Sequence, residues 1–203
     1  MSKYFIFGNG QFAELLRILL EHEKKINSKN IFFITKNKTK KLNQIDEKSF
    51  LSIRKKLRVF IGLGDIDKRI RIINILRNTG HIFPNFISKS SKIMKKCNLG
   101  MGNIILPNCT ILSPTHLRDF NIIGTSSTIL HHCSVEDNCV IGGGSIIGSG
   151  TEIKKNVFIG VGTTIASKKI KIGSNAFLSS GSVILNNIPN KIKVIGNPAR
   201  KIL

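Results

Sequence analysis

Every sixth residue between positions 87 and 165 is aliphatic: Ile87, Ile93, Leu99, Ile105, Ile111, Leu117, Ile123, Ile129, Val135, Ile141, Ile147, Ile153, Ile159 and Ile165. An amphipathic helix repeats its apolar face every 3.6 residues and a half-buried strand every 2, so neither element accommodates this spacing. Four residues after each aliphatic stands a small or modest side chain, such as Ser91, Cys97, Asn103, Cys109 and Thr115, until Lys169 ends the series. A six-residue period with one large and one small position is the signature of a parallel β-helix. Three hexads make one triangular coil, the aliphatic filling the interior and the small residue pointing inward where space is tight. The step slips by one residue within 166–171 and resumes at Ile172, Leu178 and Ile184. Stacked coils of this kind, roughly five and a half of them, account for residues 87 to about 185.

The register also places Cys97, Cys109, Cys133 and Cys139 in the small inward slot, where a free thiol packs as a compact hydrophobe. Their spacings are multiples of the repeat, which favours a structural role over metal binding or disulfides and agrees with a reducing compartment. No metal site is expected.

The first 84 residues follow another pattern. Lys3 to Phe7 reads as a buried strand, Gly8 to Ala13 as a glycine turn and Glu14 to His22 as a helix. A second strand over Asn30 to Thr35, a third over Arg58 to Gly62 and a helix over Ile66 to Leu76 complete a small α/β layer with a parallel sheet. The chain therefore divides into an α/β domain, 1–84, and a β-helix with a C-terminal tail, 85–203. Gly8, Gly10 and Ala13 match G-x-G-x-x-G/A, a turn whose backbone N–H groups and helix N-terminus hold phosphate. A tight turn alone would use the same glycines. For a dinucleotide the second strand should end in an acid that binds the ribose, whereas this one ends in Thr35-Lys36-Asn37-Lys38. That argues against a nicotinamide cofactor and leaves a nucleoside diphosphate or its sugar.

With 32 Lys+Arg against 11 Asp+Glu the net charge is +21, spread over both halves. It points to an anionic partner, with biased composition as the competing explanation. No Trp, a single Tyr and no recognition motif argue against nucleic acid and for a polyanionic small molecule. No apolar run approaches the roughly 20 residues needed to span a bilayer, and Met1 to Phe7 runs into a strand without a leader pattern. A cytoplasmic protein with no membrane partner is expected.

Both parts together resemble the nucleotide-sugar and sialic-acid acetyltransferases of the hexapeptide-repeat class. The likeness rests on Phe7-Gly8-Asn9-Gly10, on Phe83-Pro84-Asn85-Phe86-Ile87, and on Thr125 through Cys133, which includes His131 and His132. It continues in Phe158 through Ile165 and in Val194 through Ile202, where Gly196-Asn197-Pro198-Ala199-Arg200 resembles the class's tail. The resemblance implies an N-terminal Rossmann-like lobe that binds the acceptor, a left-handed β-helix and a homotrimer. It also implies acetyl-CoA as co-substrate and acetylation of a nucleotide-linked amino sugar for surface-glycan (lipopolysaccharide) biosynthesis. O-acetylation of sialic acid or another glycan, and a non-catalytic sugar-nucleotide binding module, are the alternatives.

Residue by residue, the resemblance makes His131 the base that takes the acceptor's proton, since imidazole titrates near neutrality. The class follows this histidine with Glu or Asp; here His132 stands in that place, with Glu136 and Asp137 at the next corner as substitutes. Gly160, Val161, Gly162, Ser180 and Gly181 are implied along the acetyl-CoA arm, and Gly148 and Ser149 as oxyanion donors. Corner glycines that merely relieve strain are the competing reading. Lys168, Lys169, Lys171 and Arg200 are candidates for nucleotide phosphates. Gly10, Gln11, Phe12, Thr35, Lys36 and Gly62 are implied around the acceptor, at the carboxyl ends of the strands.

Overall fold

The computed structural model describes residues 2–36 and 43–202, so Asn37 and Lys38 lie outside the described residues. Contacts divide the chain into two units, Met1–Pro84 and Asn85–Leu203.

The first unit is a four-stranded parallel sheet with helices. β1 (Tyr4–Phe7), α1 (Gln11–Lys24), β2 (Ile31–Thr35), β3 (Gln44–Asp46), α2 (Glu47–Leu51), β4 (Arg58–Ile61) and α3 (Ile66–Leu76) follow in chain order. The strand order is β3-β2-β1-β4. β1 and β2 are apolar along most of their length because an inner parallel strand is covered on both faces, and Phe5, Ile6, Phe7, Ile31, Phe33 and Ile34 are all buried, as are Val59, Phe60 and Ile61 of β4. α1 begins at Gln11, three residues earlier than the apolar pattern suggests, and ends at Lys25 in a left-handed cap. β3 and α2 went unread in the sequence, being short and lacking sustained periodicity. Asp46 caps α2 through the Ser49 amide, 2.9 Å.

The second unit is a β-solenoid of the left-handed β-helix type, with three faces of five, six and eight strands, parallel throughout except where Arg200–Lys201 pairs antiparallel with Lys193–Ile195. Each hexad supplies a two-residue strand whose second residue is the inward aliphatic. Coils superpose at a step of 18: Ile123 lies level with Ile105 on one side and Ile141 on the other. From Ile105 to Ile165 every inward aliphatic is buried, with Ile123, Ile141 and Ile147 fully so. Where the step slips, the exposed Lys169 takes a left-handed turn conformation, φ 53°. Ile170 fills the inward slot in its place, its carbonyl accepting from the Glu152 amide.

One inward corner carries an amide ladder. Asn85, Asn103 and Asn121 each use Oδ1 to accept the backbone N–H found 18 residues on, at Asn103 (2.8 Å), Asn121 (2.9 Å) and Cys139 (2.8 Å). The four thiols are free and occupy the same class of slot. Burial pushes the Cys139 thiol up to about 12 and raises Cys133 and Cys109 for the same reason, so none is poised as a nucleophile.

Directly after several inward aliphatics the chain requires glycine because neighbouring coils nearly touch. A Cβ on Gly124 would lie 2.4 Å from the Gly143 nitrogen. Gly124→Ala is expected to destabilise the solenoid by about 3 kcal/mol, the upper range for overpacking a rigid interior, read as a lowered denaturant midpoint. An unchanged midpoint contradicts the rigid stacking.

Candidate functional site

At one corner of the solenoid, residues 18 apart stand in a column, and His131, Ser149 and Ser167 are consecutive members of one such column. His131 Nδ1 lies 2.7 Å from His132 Nδ1, and the rings meet edge to face with centroids 4.9 Å apart. His131 Nε2 lies 3.2 Å from Ser149 Oγ. The Ser149 amide donates to Ser167 Oγ, 3.1 Å, and the Gly150 amide holds the His131 carbonyl, 3.0 Å. Both histidines are exposed.

Two neutral imidazoles can share an N···N contact only if one donates and the other accepts. With His131 donating from Nδ1, its Nε2 carries the lone pair and accepts the Ser149 hydroxyl. The corner then presents an oriented base. His132 occupies a left-handed turn position, φ 60°, which other corners of the solenoid fill with glycine, with Asn108, Asn138, Asn156 and Asn175, and with Lys96, Phe120 and Ser126. A histidine there stores roughly 1 kcal/mol of backbone strain.

Glu136 and Asp137 do not serve His131. Glu136 pairs with Lys154 at 3.2 Å and accepts from the Lys155 amide, and Asp137 accepts from the Asp119 amide at 3.2 Å. Gly148 and Gly160 are packing positions: a Cβ on either would lie 2.4 Å from backbone atoms of the next coil. The Gly148 amide is already committed to the Ile165 carbonyl, 2.9 Å. The Ser149 amide, bonded only to a rotatable hydroxyl, is the displaceable donor of the two. Val161, Gly162, Ser180 and Gly181 form an exposed stretch on two successive coils, Gly162 and Gly181 in left-handed corners. Lys168, Lys169, Lys171 and Arg200 are all exposed, and Lys171 pairs with Glu152 at 3.6 Å.

In the first unit a cavity of about 260 Å³ opens at the carboxyl ends of the strands, lined by Phe7, Gly8, Asn9, Thr35, Lys36, Glu47, Leu63, Lys68 and Arg71 among others. It contains Thr35 and Lys36 of the expected set. Gly10 caps α1, and Gln11 and Phe12 begin that helix; none of the three reaches the walls. Gly62 is buried packing, since a Cβ there would lie 2.5 Å from Ile6 and 3.0 Å from Ala13.

Sequence reasoning missed three charged cavity residues, Glu47, Lys68 and Arg71. Glu47, the first residue of α2, is gripped by Arg71 through two bonds of 2.8 and 2.9 Å, which together with nearby Lys36 hold its carboxyl below the usual range. Neither Lys36 nor Lys68 has an ion-pair partner among the described residues. With the one acid neutralised by Arg71, the walls are left net positive. Beneath them the fully buried Arg69 donates to the Ile61 and Leu63 carbonyls (3.1 and 3.0 Å), fixing the loop after β4.

The pair gives a pH prediction. Glu47's pKa falls on folding, so its stabilisation is complete above the ordinary 4.5 and fades as pH drops through the lowered value. Urea midpoints from pH 6 downward should fall more steeply for wild type than for Arg71→Gln; parallel curves contradict the coupling.

No family model matches this sequence, and no curated protein does. Solved structures do match in fold. The acetyltransferase domain of PglB from Neisseria gonorrhoeae, solved with acetyl coenzyme A, superposes with a TM-score of 0.88 at 21% identity, over 99% of each chain. GDP-perosamine N-acetyltransferase from Caulobacter crescentus, solved with CoA and GDP-perosamine, gives 0.88 at 22% identity, covering 100% of this chain and 97% of that one. WeeI from Acinetobacter baumannii gives 0.90 at 20% identity over the full length of both. The fold is thus shared from end to end.

Proposed function

We propose that this chain, built on the fold of those sugar acetyltransferases, transfers the acetyl group of acetyl-CoA to the amine of a nucleotide-linked amino sugar. The observation that carries the reading is the His131 corner, an imidazole with Nδ1 2.7 Å from His132 Nδ1 and Nε2 3.2 Å from the Ser149 hydroxyl; with Nδ1 donating, Nε2 carries the lone pair. A neutral amine attacking the thioester carbonyl must shed a proton, and His131 Nε2 is placed to take it. The Ser149 amide stabilises the oxyanion, and the thiolate of CoA leaves. Relatives of the same fold hold acetyl-CoA or CoA with GDP-perosamine. Here the exposed stretch of Val161, Gly162, Ser180 and Gly181 is the candidate track for the pantetheine arm.

The first unit is read as a Rossmann-like, acceptor-binding lobe. Its support is the β3-β2-β1-β4 order, the Gly8-Asn9-Gly10 turn into α1, and a cavity whose free cations Lys36 and Lys68 suit a diphosphate. A homotrimer completing the site between copies, in the cytoplasm, is part of the same proposal. Light scattering then gives about three times the 22.5 kDa chain mass; a monomer at micromolar concentration sinks the shared site.

Calorimetry tests the acceptor lobe. A guanosine or uridine diphosphate sugar should bind with a salt-dependent affinity, and Lys36→Ala with Lys68→Ala should weaken it by about tenfold or more, on the scale of charge-assisted hydrogen bonds. Absence of any nucleotide binding by the wild type refutes the lobe's assignment.

A further inference from the structure

Ser149, His131 and His132 form a continuous chain of side-chain contacts: hydroxyl to Nε2 at 3.2 Å, Nδ1 to Nδ1 at 2.7 Å. A hydroxyl within reach of a base, with the base oriented by a third group, is the arrangement that turns serine into a nucleophile. Nothing in amine acetylation requires the Ser149 hydroxyl to lie against the base. Ser167 Oγ, accepting from the Ser149 amide at 3.1 Å, keeps its own O–H to donate beside it.

We propose that this triad confers a second activity, acyl transfer to Ser149 itself and onward to water. It rests on the reading of His131 as the base but not on any acceptor sugar. Ser149 Oγ attacks the carbonyl carbon of an acetyl ester or thioester while its proton passes to His131 Nε2. The C–O or C–S bond to the leaving group breaks, and the leaving group departs with that proton. Water then attacks the acetyl-serine, again giving up its proton to His131, and acetate is released with Ser149 regenerated. No oxidant or cofactor is needed.

The test uses the full-length protein with p-nitrophenyl acetate, an activated acetyl ester lacking CoA and nucleotide. A burst of p-nitrophenolate of about one equivalent per chain followed by slow turnover is the kinetic fingerprint. Peptide mapping should place a single acetyl group on Ser149. Both signals should vanish in Ser149→Ala and His131→Ala, whereas Ser149→Cys, which keeps a nucleophile, should retain the burst. Label on lysines alone, or a burst unchanged in Ser149→Ala, overturns the proposal. The same wild-type preparation is assayed for amine acetylation from acetyl-CoA. Amine transfer with Ser149 never labelled defeats this inference and leaves the transferase reading standing; acetyl-Ser149 without transfer to any amine does the reverse.

Discussion

His131→Ala lowers kcat for acetyl transfer by about 100-fold or more, the scale for losing a positioned general base, while the affinity for acetyl-CoA changes little. The side chain is exposed and its only side-chain partners among the described residues are His132 and Ser149, so truncation leaves the coil intact and the loss is chemical. His132 supplies a companion result in two readouts. His132→Asn should leave thermal stability unchanged or slightly raised, because Asn and His both tolerate the left-handed region. The same change should lower kcat, since the contact at His131 Nδ1 that orients the ring is altered. Equal activity in wild type and His131→Ala removes the residue from the mechanism. Loss confined to His132 variants moves the role one residue along.

Ile141→Asp abolishes the folded solenoid. Ile141 is fully buried in the stacked interior, level with Ile123 and Ile159 in adjacent coils, and among the described residues of that interior there is no cation to neutralise a carboxylate. An unpaired buried charge costs several kcal/mol even after relaxation, comparable to the entire stability of a typical domain. Ile141→Val, losing one methylene, should cost only about 0.5–1.5 kcal/mol. Circular dichroism and denaturant titration of the two variants give the contrast. A folded, cooperative Ile141→Asp would mean that the inward register is wrong.

The solenoid was legible because its period is written in single residues: one aliphatic and one small side chain per six positions leave no competing element. The slip near 166–171 was legible too, although which residue would fill the slot was not. The answer, Ile170, depends on the turn absorbing Lys169. The column arithmetic of 18 would have brought Ser149 and Ser167 beside His131 from sequence alone; only the Ser149 amide, not its hydroxyl, was singled out. The α/β unit was less readable. Its cavity draws on Glu47, Lys68 and Arg71, which come from the start of the short α2 and from the polar face of α3, where local pattern carries no signal. Their meeting depends on β3 pairing in parallel beside β2. Gly62 illustrates the converse: a glycine at a strand's carboxyl end reads as ligand-facing, yet the approach of Ile6 and Ala13 explains it fully.

The most direct test is to incubate the protein with acetyl-CoA and a panel of nucleotide-linked amino sugars, following free thiol and the mass of each sugar. The account predicts thiol release that depends on one amino sugar, matched mole for mole by an alkali-stable acetyl group on its amine. Thiol release with no amine acetylated on any sugar, or an acetyl group found only on a hydroxyl, would contradict it.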